Sequence, residues 1–529
     1  MTHRISEVVT FDKMREMYRE KPMSPHLETL LQRCDRDGTG ITFDDITLRA
    51  GYSEVSPSEA DLGTFFSRRV RLLTPQVSAA MSDVTGKDTA VEMGNAGGLG
   101  IIHVNQTARD QADEVSAVKH HLHAFIERPI TFGPNVTIGD MQEKMQRKGW
   151  RFREFPIVTE DSTLLGFFDE TLYKIWHPKK NIRLGDVMRK VSEGQVVTAP
   201  EETDIERAYD IIKQSSVTTL CVVYKDGRLR GLYSIKDINR ILNSDENGNR
   251  TVKPNTDSYG RLFAGASVGV LADKGTEERI DLLVKAGVDV IEVKQANVAT
   301  RIGIDTVMYI KKNYPDVDVV AGNIDNAEGV PHLLDAGVDG IVVGIGPGSI
   351  CKTRLVSGSG TPQIYAVADV VRAVNFEVPV SADGGARYSG DYVKALAVGA
   401  QSVTAGSVYA AAEESPGVIA PIRGEQYKIY KGMGYRGEMQ KFLQSIEKYT
   451  LADLDVLVEQ GVLSYIRFKG DKVRKIAGEI DGGIRSGMSL NGALNLPALY
   501  HIARFMMVTS SGRAESAPHD VIVPEEPNK

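Results

Sequence analysis

One short run of the chain, GIGPGSICKTR (344–354), gathers the residue types that covalent chemistry needs. Cys351 sits in a glycine-rich loop directly after the apolar segment GIVVG, and Thr353 follows two residues on. Gly346 and Gly348 allow positive φ and bare the backbone carbonyls and N–H groups, which suits an ion or a phosphate. A cysteine on such a loop lies near backbone dipoles and partly open to solvent, conditions that favour thiolate attack. The other two cysteines have no such setting: Cys34 lies in a polar N-terminal stretch and Cys221 on an apolar strand-like run. Both read as small buried hydrophobes.

The elements that position this loop repeat along the chain. Glycines number 51 in 529 residues, and many follow short β-branched runs: VDVIEV (288–293), VDVVAGN (317–323), VDGIVVGIGPG (338–348), VPVSADGG (378–385) and QSVTAGS (401–407). Helical apolar spacing fills the gaps, over Glu277 to Ala286, Ala299 to Lys312, Ala327 to Ala336 and Tyr388 to Val398. The runs AGVD and VGAQ then lead into the next strand as glycine C-caps. With LLTPQVSAAM (72–81) and AGGLGIIHVN (96–105), the units count toward eight parallel strands. The fold class is therefore α/β, and a (β/α)8 TIM barrel is favoured over a doubly wound open sheet. Catalytic groups belong at the C-terminal ends of such strands, where Cys351 falls.

Residues 125–245 break the rhythm. FPIVTEDSTLLGFF (155–168) and LCVVYKDGRLRGLY (220–233) share one outline, with Pro156 matching Cys221 and Gly166 matching Gly231 at an offset of 65. Helical stretches flank each (Ile138 to Lys148 and Glu170 onward; Ile205 to Gln214 and Ile235 to Leu242), so a small α/β module is duplicated. The polar run 243–258 reads as the linker out of it. The expected domains are 1–124, the first part of the barrel with an N-terminal extension; 125–245, the inserted tandem module; and 246–529, the rest of the barrel with its tail.

Composition closes off other classes. The chain is 42% hydrophobic and 25% charged, with net charge -7, so neither disorder nor attraction to nucleic acid or an anionic membrane is expected. No apolar run reaches the ~18–20 residues of a membrane span. Three cysteines and a start without a signal-peptide core fit a cytoplasmic protein.

GSIC with Thr353, ITFDDITL (41–48) and SADGG (381–385) together resemble the IMP dehydrogenase/GMP reductase family, from about residue 40 to His519. The duplicated insert resembles a tandem CBS (Bateman) module. The resemblance implies a homotetramer, often paired into octamers, acting on a purine 5′-nucleotide held covalently at C2 by Cys351. It assigns the ribose hydroxyls to Asp383, the phosphate to Gly384, Gly385, Gly406 and Ser407, a phosphate contact to Tyr430, and a further substrate contact to Ser349. Ser78 and Met81 would line the purine pocket, Met433 and Gly434 would read the purine edge, and Gly432 and Gln460 would touch the substrate. Lys294, Gln295, Asn323 and Gly344 fall on the cofactor side, for NAD or NADP. Gly346, Gly348 and Cys351 match a potassium site of backbone carbonyls, completed by a neighbouring subunit's tail, here at Glu515. Adenine or guanine nucleotides are the effectors expected at the CBS pair.

Four residues depart from the family pattern. Lys294 replaces the aspartate that holds the nicotinamide ribose, and Val342 replaces a Lys or Arg, as if the base had changed strands. A Lys at 294 would favour a phosphate. Lys448-Tyr449 stands where dehydrogenases carry the Arg-Tyr pair that activates water, and Tyr435 replaces the GMGS serine. Gln460 occupies the position of a glutamate paired with the Thr353 hydroxyl in many members. The expected reaction is IMP oxidation to XMP, with GMP reduction, or a diverged nucleotide-sensing protein, as alternatives.

Overall fold

The computed structural model describes residues 10–121, 125–127, 129–148, 150, 152–242, 253–445 and 458–521. The apolar runs form eight strands, β1 (Gln76–Ser78), β2 (Leu99–Ile102), β3 (Gly265–Val268), β4 (Val290–Lys294), β5 (Asp318–Ile324), β6 (Gly340–Val343), β7 (Val380–Asp383) and β8 (Ser402–Ala405). They close into one barrel in chain order, every neighbouring pair parallel. The TIM barrel is present, and the open sheet is excluded.

Its floor shows why these sequences repeat. Helices end at left-handed Gly287, Gly337 and Gly399 (φ 88°, 83° and 104°), where a side chain would be strained. The next polar residue ties down the start of a neighbouring strand. Asp289 accepts the Ala264 N–H and the Lys119 ammonium, each at 2.8 Å. Asp339 accepts from Val319 N (2.9 Å) and Lys311 Nζ (2.7 Å), and the Gln401 side chain accepts from Val380 N (2.7 Å). The hairpin of Thr64–Phe65 and Arg71–Leu72 plugs this end: Phe66, Val70 and Leu72 pack with Val77, Leu99, Ile101, Val290, Val320 and Val342. Chemistry is left to the opposite mouth.

The expected helices form with ends moved by a residue or two, such as Thr276–Lys285 and Ser389–Ala397. One stretch splits. Ala327–Gly329 is a 3-10 turn, followed by a helix Val330–Asp335 with Pro331 in its first turn, which lacks the N–H to continue a helix from upstream.

Contacts divide the chain into two units, Met1–Lys119 with Leu262–Lys529, and His120–Arg261. The second is wider than 125–245 on both sides. Tyr259 explains the far boundary, since its hydroxyl accepts from Arg230 (2.9 Å) and its ring lies 5.8 Å from that of Phe125. Within this unit the two similar halves each form a small antiparallel sheet core, Phe155–Val158 with Leu164–Phe168 and Thr219–Val223 with Leu229–Ser234. Gly166 and Gly231 play matching parts: a Cβ at either would overlap a carbonyl of the adjoining strand, at Arg189 and Ile126. Among the described residues, no helix is long and apolar enough to cross a membrane.

Candidate active site

β6 delivers the cysteine loop. Gly344 turns the chain at φ 150°, where a Cβ would overlap the Asp383 carbonyl oxygen, so only glycine lets the loop close against β7. Cys351 N donates to Gly348 O (3.0 Å), and its Sγ lies 3.1 Å from Thr353 Oγ1. Arg354 braces the loop from within, donating through Nε to Ile345 O (2.9 Å) and to the Thr361 carbonyl. A returning segment forms the other wall. Cys351 bridges Gly461, Lys352 N donates to Gln460 O (2.7 Å), and Gln460 N donates to Gly434 O (3.1 Å). Gly432 N donates to Val462 O (3.0 Å). Thus Cys351, Gln460, Gly432 and Gly434 meet through main chain, while the Thr353 hydroxyl is engaged with the cysteine.

Beside the loop lies a cavity of about 390 Å³ lined by Gly346, Ser349, Gly385, Ser407, Arg354 and Arg387. Gly384 packs against Gly348, 3.2 Å from its nitrogen to a Cβ placed there. Tyr430 is buried and hydrogen-bonds Ser349; burial pushes its phenol well above its ordinary range, so it stays a neutral donor. Its hydroxyl reaches Met81 Sδ (3.8 Å), and a Cβ at Gly406 would overlap it. Ser78 is fully buried with its hydroxyl accepting from Thr85 (2.9 Å), and Met433 Sδ lies 3.9 Å from Asn105 Nδ2. The sequence pattern gave the anion loop backbone donors and Tyr430, but no cation. Two guanidiniums also line the cavity, Arg354 and Arg387, the latter paired with Asp44 at 2.6 Å. Arg387 stands two residues after Gly385 and Arg354 six after Gly348, a signal that spacing carries.

Asp383, at the end of β7, is held by three side chains. Its Oδ2 accepts from Lys294 Nζ (3.1 Å) and Asn323 Nδ2 (2.9 Å). Asn323 also donates to Gly344 O (2.8 Å), and Gln363 Nε2 donates to Asp383 O (3.1 Å) and Val343 O (2.8 Å). Lys294 Nζ lies 2.9 Å from Glu292 Oε1. Burial works against the Lys294 charge, but Asp383 and Glu292 outweigh it and raise the group above its ordinary value. Burial likewise pushes the Glu292 carboxyl up, with Lys294 opposing. Gln295 pairs by backbone with Gly322 (2.8 Å) and Asn323 (2.9 Å). Glu292 and Gln363 escaped sequence reading. A charge two residues before Lys294 on a buried strand was the available clue, because alternation puts both on one face.

Lys448 and Tyr449 lie outside the described residues. Glu515 ends the exposed helix Ser510–Glu515, which Arg513 ties to Asp44 at 2.7 Å. Among the described residues no cluster of three His, Cys, Asp or Glu side chains forms a metal site.

A cysteine paired with a threonine on a glycine loop thus sits at the C-terminal mouth of a (β/α)8 barrel, the end where barrel enzymes carry their active sites, beside a cavity walled by glycines, Arg354, Arg387 and Asp44. Residues 40–519 match the IMP dehydrogenase / GMP reductase domain, and the chain belongs to that family. It is 39% identical over 497 residues to the inosine-5′-monophosphate dehydrogenase of Aquifex aeolicus, covering 92% of this chain and 97% of that protein. The Haemophilus influenzae inosine-5′-monophosphate dehydrogenase is 38% identical over 494 residues, with the same coverage. Among solved structures, a Cys-to-Ala variant of Trypanosoma brucei GMP reductase with guanosine 5′-monophosphate superimposes with TM-score 0.73 and 32% identity. That match covers 92% of this chain and 98% of the reductase.

Proposed function

We propose that this protein is an NAD(P)-dependent oxidoreductase that converts IMP, NAD and water to XMP and NADH. The observation that carries the reading is Cys351 Sγ at 3.1 Å from Thr353 Oγ1, on the loop that walls the anion cavity. The Cys351 thiolate bonds purine C2 and hydride leaves that carbon. Water then adds at C2, the C–S bond breaks, and the thiol is restored as XMP departs. Asp383 takes the ribose hydroxyls, and Ser349, Gly384, Gly385, Gly406, Ser407 and Tyr430 take the phosphate. Ser78, Met81, Gly432, Met433 and Gly434 frame the base. Lys448 and Tyr449, with Gln460, activate the water.

The dinucleotide supplies the hydride acceptor, with Gln295, Asn323 and Gly344 on its side of the mouth. Two carboxylates hold the Lys294 ammonium, so no free cation is left there for a 2′-phosphate, which supports NAD over NADP. Potassium would sit on the carbonyls of Gly346, Gly348 and Cys351, completed by Glu515 of a neighbouring copy in a homotetramer or octamer. The unit at 125–245 acts as a CBS pair for adenine or guanine nucleotides, in a cytoplasmic enzyme.

One observation favours the reverse type of reaction, reduction of GMP to IMP and ammonia: the reductase likeness spans 98% of the solved chain. Incubation with IMP plus NAD, and separately with GMP plus NADPH, followed by nicotinamide absorbance and product chromatography, separates the two. XMP formation from IMP is the expected result. Ammonia and IMP from GMP, with no XMP, would establish the reductase; no turnover in either direction would leave a nucleotide-sensing barrel.

A further inference from the structure

We infer that Lys294 is a positioning residue for the nucleotide's ribose: together with Asn323 it fixes Asp383 with one carboxylate oxygen turned into the barrel and the other free for a sugar hydroxyl. The inference rests on the purine-nucleotide reading above and deepens it.

Lys294 occupies the last rung of β4. β4 places Val290, Glu292 and Lys294 on one face, and Val290 belongs to the interior cluster, so the two charged residues also point inward. Lys294 pairs in register with Gly322, and Gly322 with Val342. Neither neighbour contributes a charge or a hydrogen-bonding side chain. The ammonium must therefore find its partners below, at Glu292, and across the mouth, at Asp383. The Glu292 side chain is 1% exposed, and Lys294 is its one hydrogen-bond partner among the described residues. A carboxylate so deeply buried is tolerated only with a cation against it. Lys294 is thus anchored from beneath and is not at liberty to swing toward solvent.

That anchoring decides what Asp383 does. Both donors, Lys294 and Asn323, fall on Oδ2, and Asn323 is itself held by Gly344 O. Oδ1 receives no hydrogen bond among the described residues. Asp383 immediately precedes Gly384 and Gly385, which pack on the Pro347–Gly348 turn beside the anion cavity. A nucleotide's ribose lies next to its phosphate, so Oδ1 stands where a ribose hydroxyl arrives. Charge points the same way. Glu292, Lys294 and Asp383 together carry one net negative charge, which repels a phosphate and attracts hydroxyl donors.

Calorimetric titration of IMP and 2′-deoxy-IMP into the full-length protein, Lys294→Met and the charge-neutral double variant Glu292→Gln/Lys294→Met tests this. The double variant removes the unpaired buried carboxylate that could unfold the single one. The wild type should prefer IMP to its deoxy analogue by on the order of tenfold or more. Both variants should bind IMP about tenfold more weakly and show a preference shrunk to about twofold, with the KM for NAD unchanged. An unchanged preference in a folded variant, or a shift in the dinucleotide KM instead, overturns the inference and returns Lys294 to the cofactor. A wild type that binds IMP and deoxy-IMP equally also overturns it while leaving the nucleotide reading intact. Failure to bind IMP or GMP at all overturns that reading and this inference with it.

Discussion

Three carboxylates on the floor of the barrel and three at its mouth are held in different ways. On the floor, Asp289, Asp318 and Asp339 each accept a backbone N–H, from Ala264, Arg69 and Val319, besides a cationic side chain. At the mouth, Glu292, Asp383 and Glu438 accept from side chains: Lys294 and Asn323 for the first pair, and Ser82, Asn105, Lys431 and Lys441 for Glu438. A carboxylate tied to main chain fixes strand starts. One tied to side chains can be re-aimed by a single substitution without moving a strand. Asp289, Asp318 and Asp339 therefore serve the fold, whereas Glu292 and Asp383 hold no strand start, so residues 294 and 342 can vary while the barrel closes normally.

The largest break in this contrast comes from the nucleophile proposed at the mouth. Cys351→Ala should cut turnover by on the order of 10⁴-fold or more, with unchanged thermal stability and retained nucleotide binding. Intact mass after quenching would show the wild-type adduct and none in the variant. Residual turnover near the wild-type rate would mean another group attacks C2. The converse break is Asp318→Ala on the floor. Its carboxylate is 1% exposed and takes Ser67 Oγ (2.6 Å), Arg69 N (2.8 Å) and Arg69 Nε (2.5 Å). Truncation orphans three donors and should cost about 3 kcal/mol in denaturant unfolding, leaving KM and kcat of the folded fraction alone. Altered KM with unchanged stability would erase the distinction between the ends.

How much of this was legible follows the same division. Glycine after β-branched runs revealed the strands, and the AGVD runs marked the floor, because local conformation and helix caps are written in neighbouring residues. Cys351 and Thr353 were legible for the same reason, two residues apart on one loop. The pairing of Lys294 with Asp383 was not, since 89 residues separate them and only barrel closure brings them together. The cofactor-side expectation for Lys294 came from its place in the family pattern, and Glu292 drew no notice because it looked like part of an apolar run. The split at Pro331 was visible in sequence, yet the apolar spacing across it looked continuous. Cavity-lining Arg354 and Arg387 went unnoticed because glycine loops were credited with the phosphate by themselves.

The smallest effect, and the one that sets the two ends directly against each other, is the pH dependence of stability. At the floor, Asp481 accepts from Thr74 and Gln76 through one oxygen, and burial, against the opposing Arg485 charge, pushes its carboxyl up to about 6. A raised acid binds its proton more tightly when folded. Its contribution is full below its unfolded value of 3.8 and is lost as pH rises through about 6, a loss of about 3 kcal/mol. At the mouth, His103 follows β2, and burial lowers it to about 4; Glu438 opposes this while Lys441, Arg279 and Lys431 assist. A depressed histidine works in reverse. Its contribution is full above its unfolded value of 6.5 and is lost as pH falls through about 4, again about 3 kcal/mol. Between pH 4 and 6.5 the two slopes oppose, and wild-type stability in that window should be nearly flat with respect to this pair. Asp481→Asn keeps an oxygen for Thr74 and Gln76, so unfolding free energy should then climb with pH across the window. His103→Gln should make it decline instead. If both variants keep the wild-type profile, neither group titrates as its surroundings dictate, and the opposition between floor and mouth does not extend to protons.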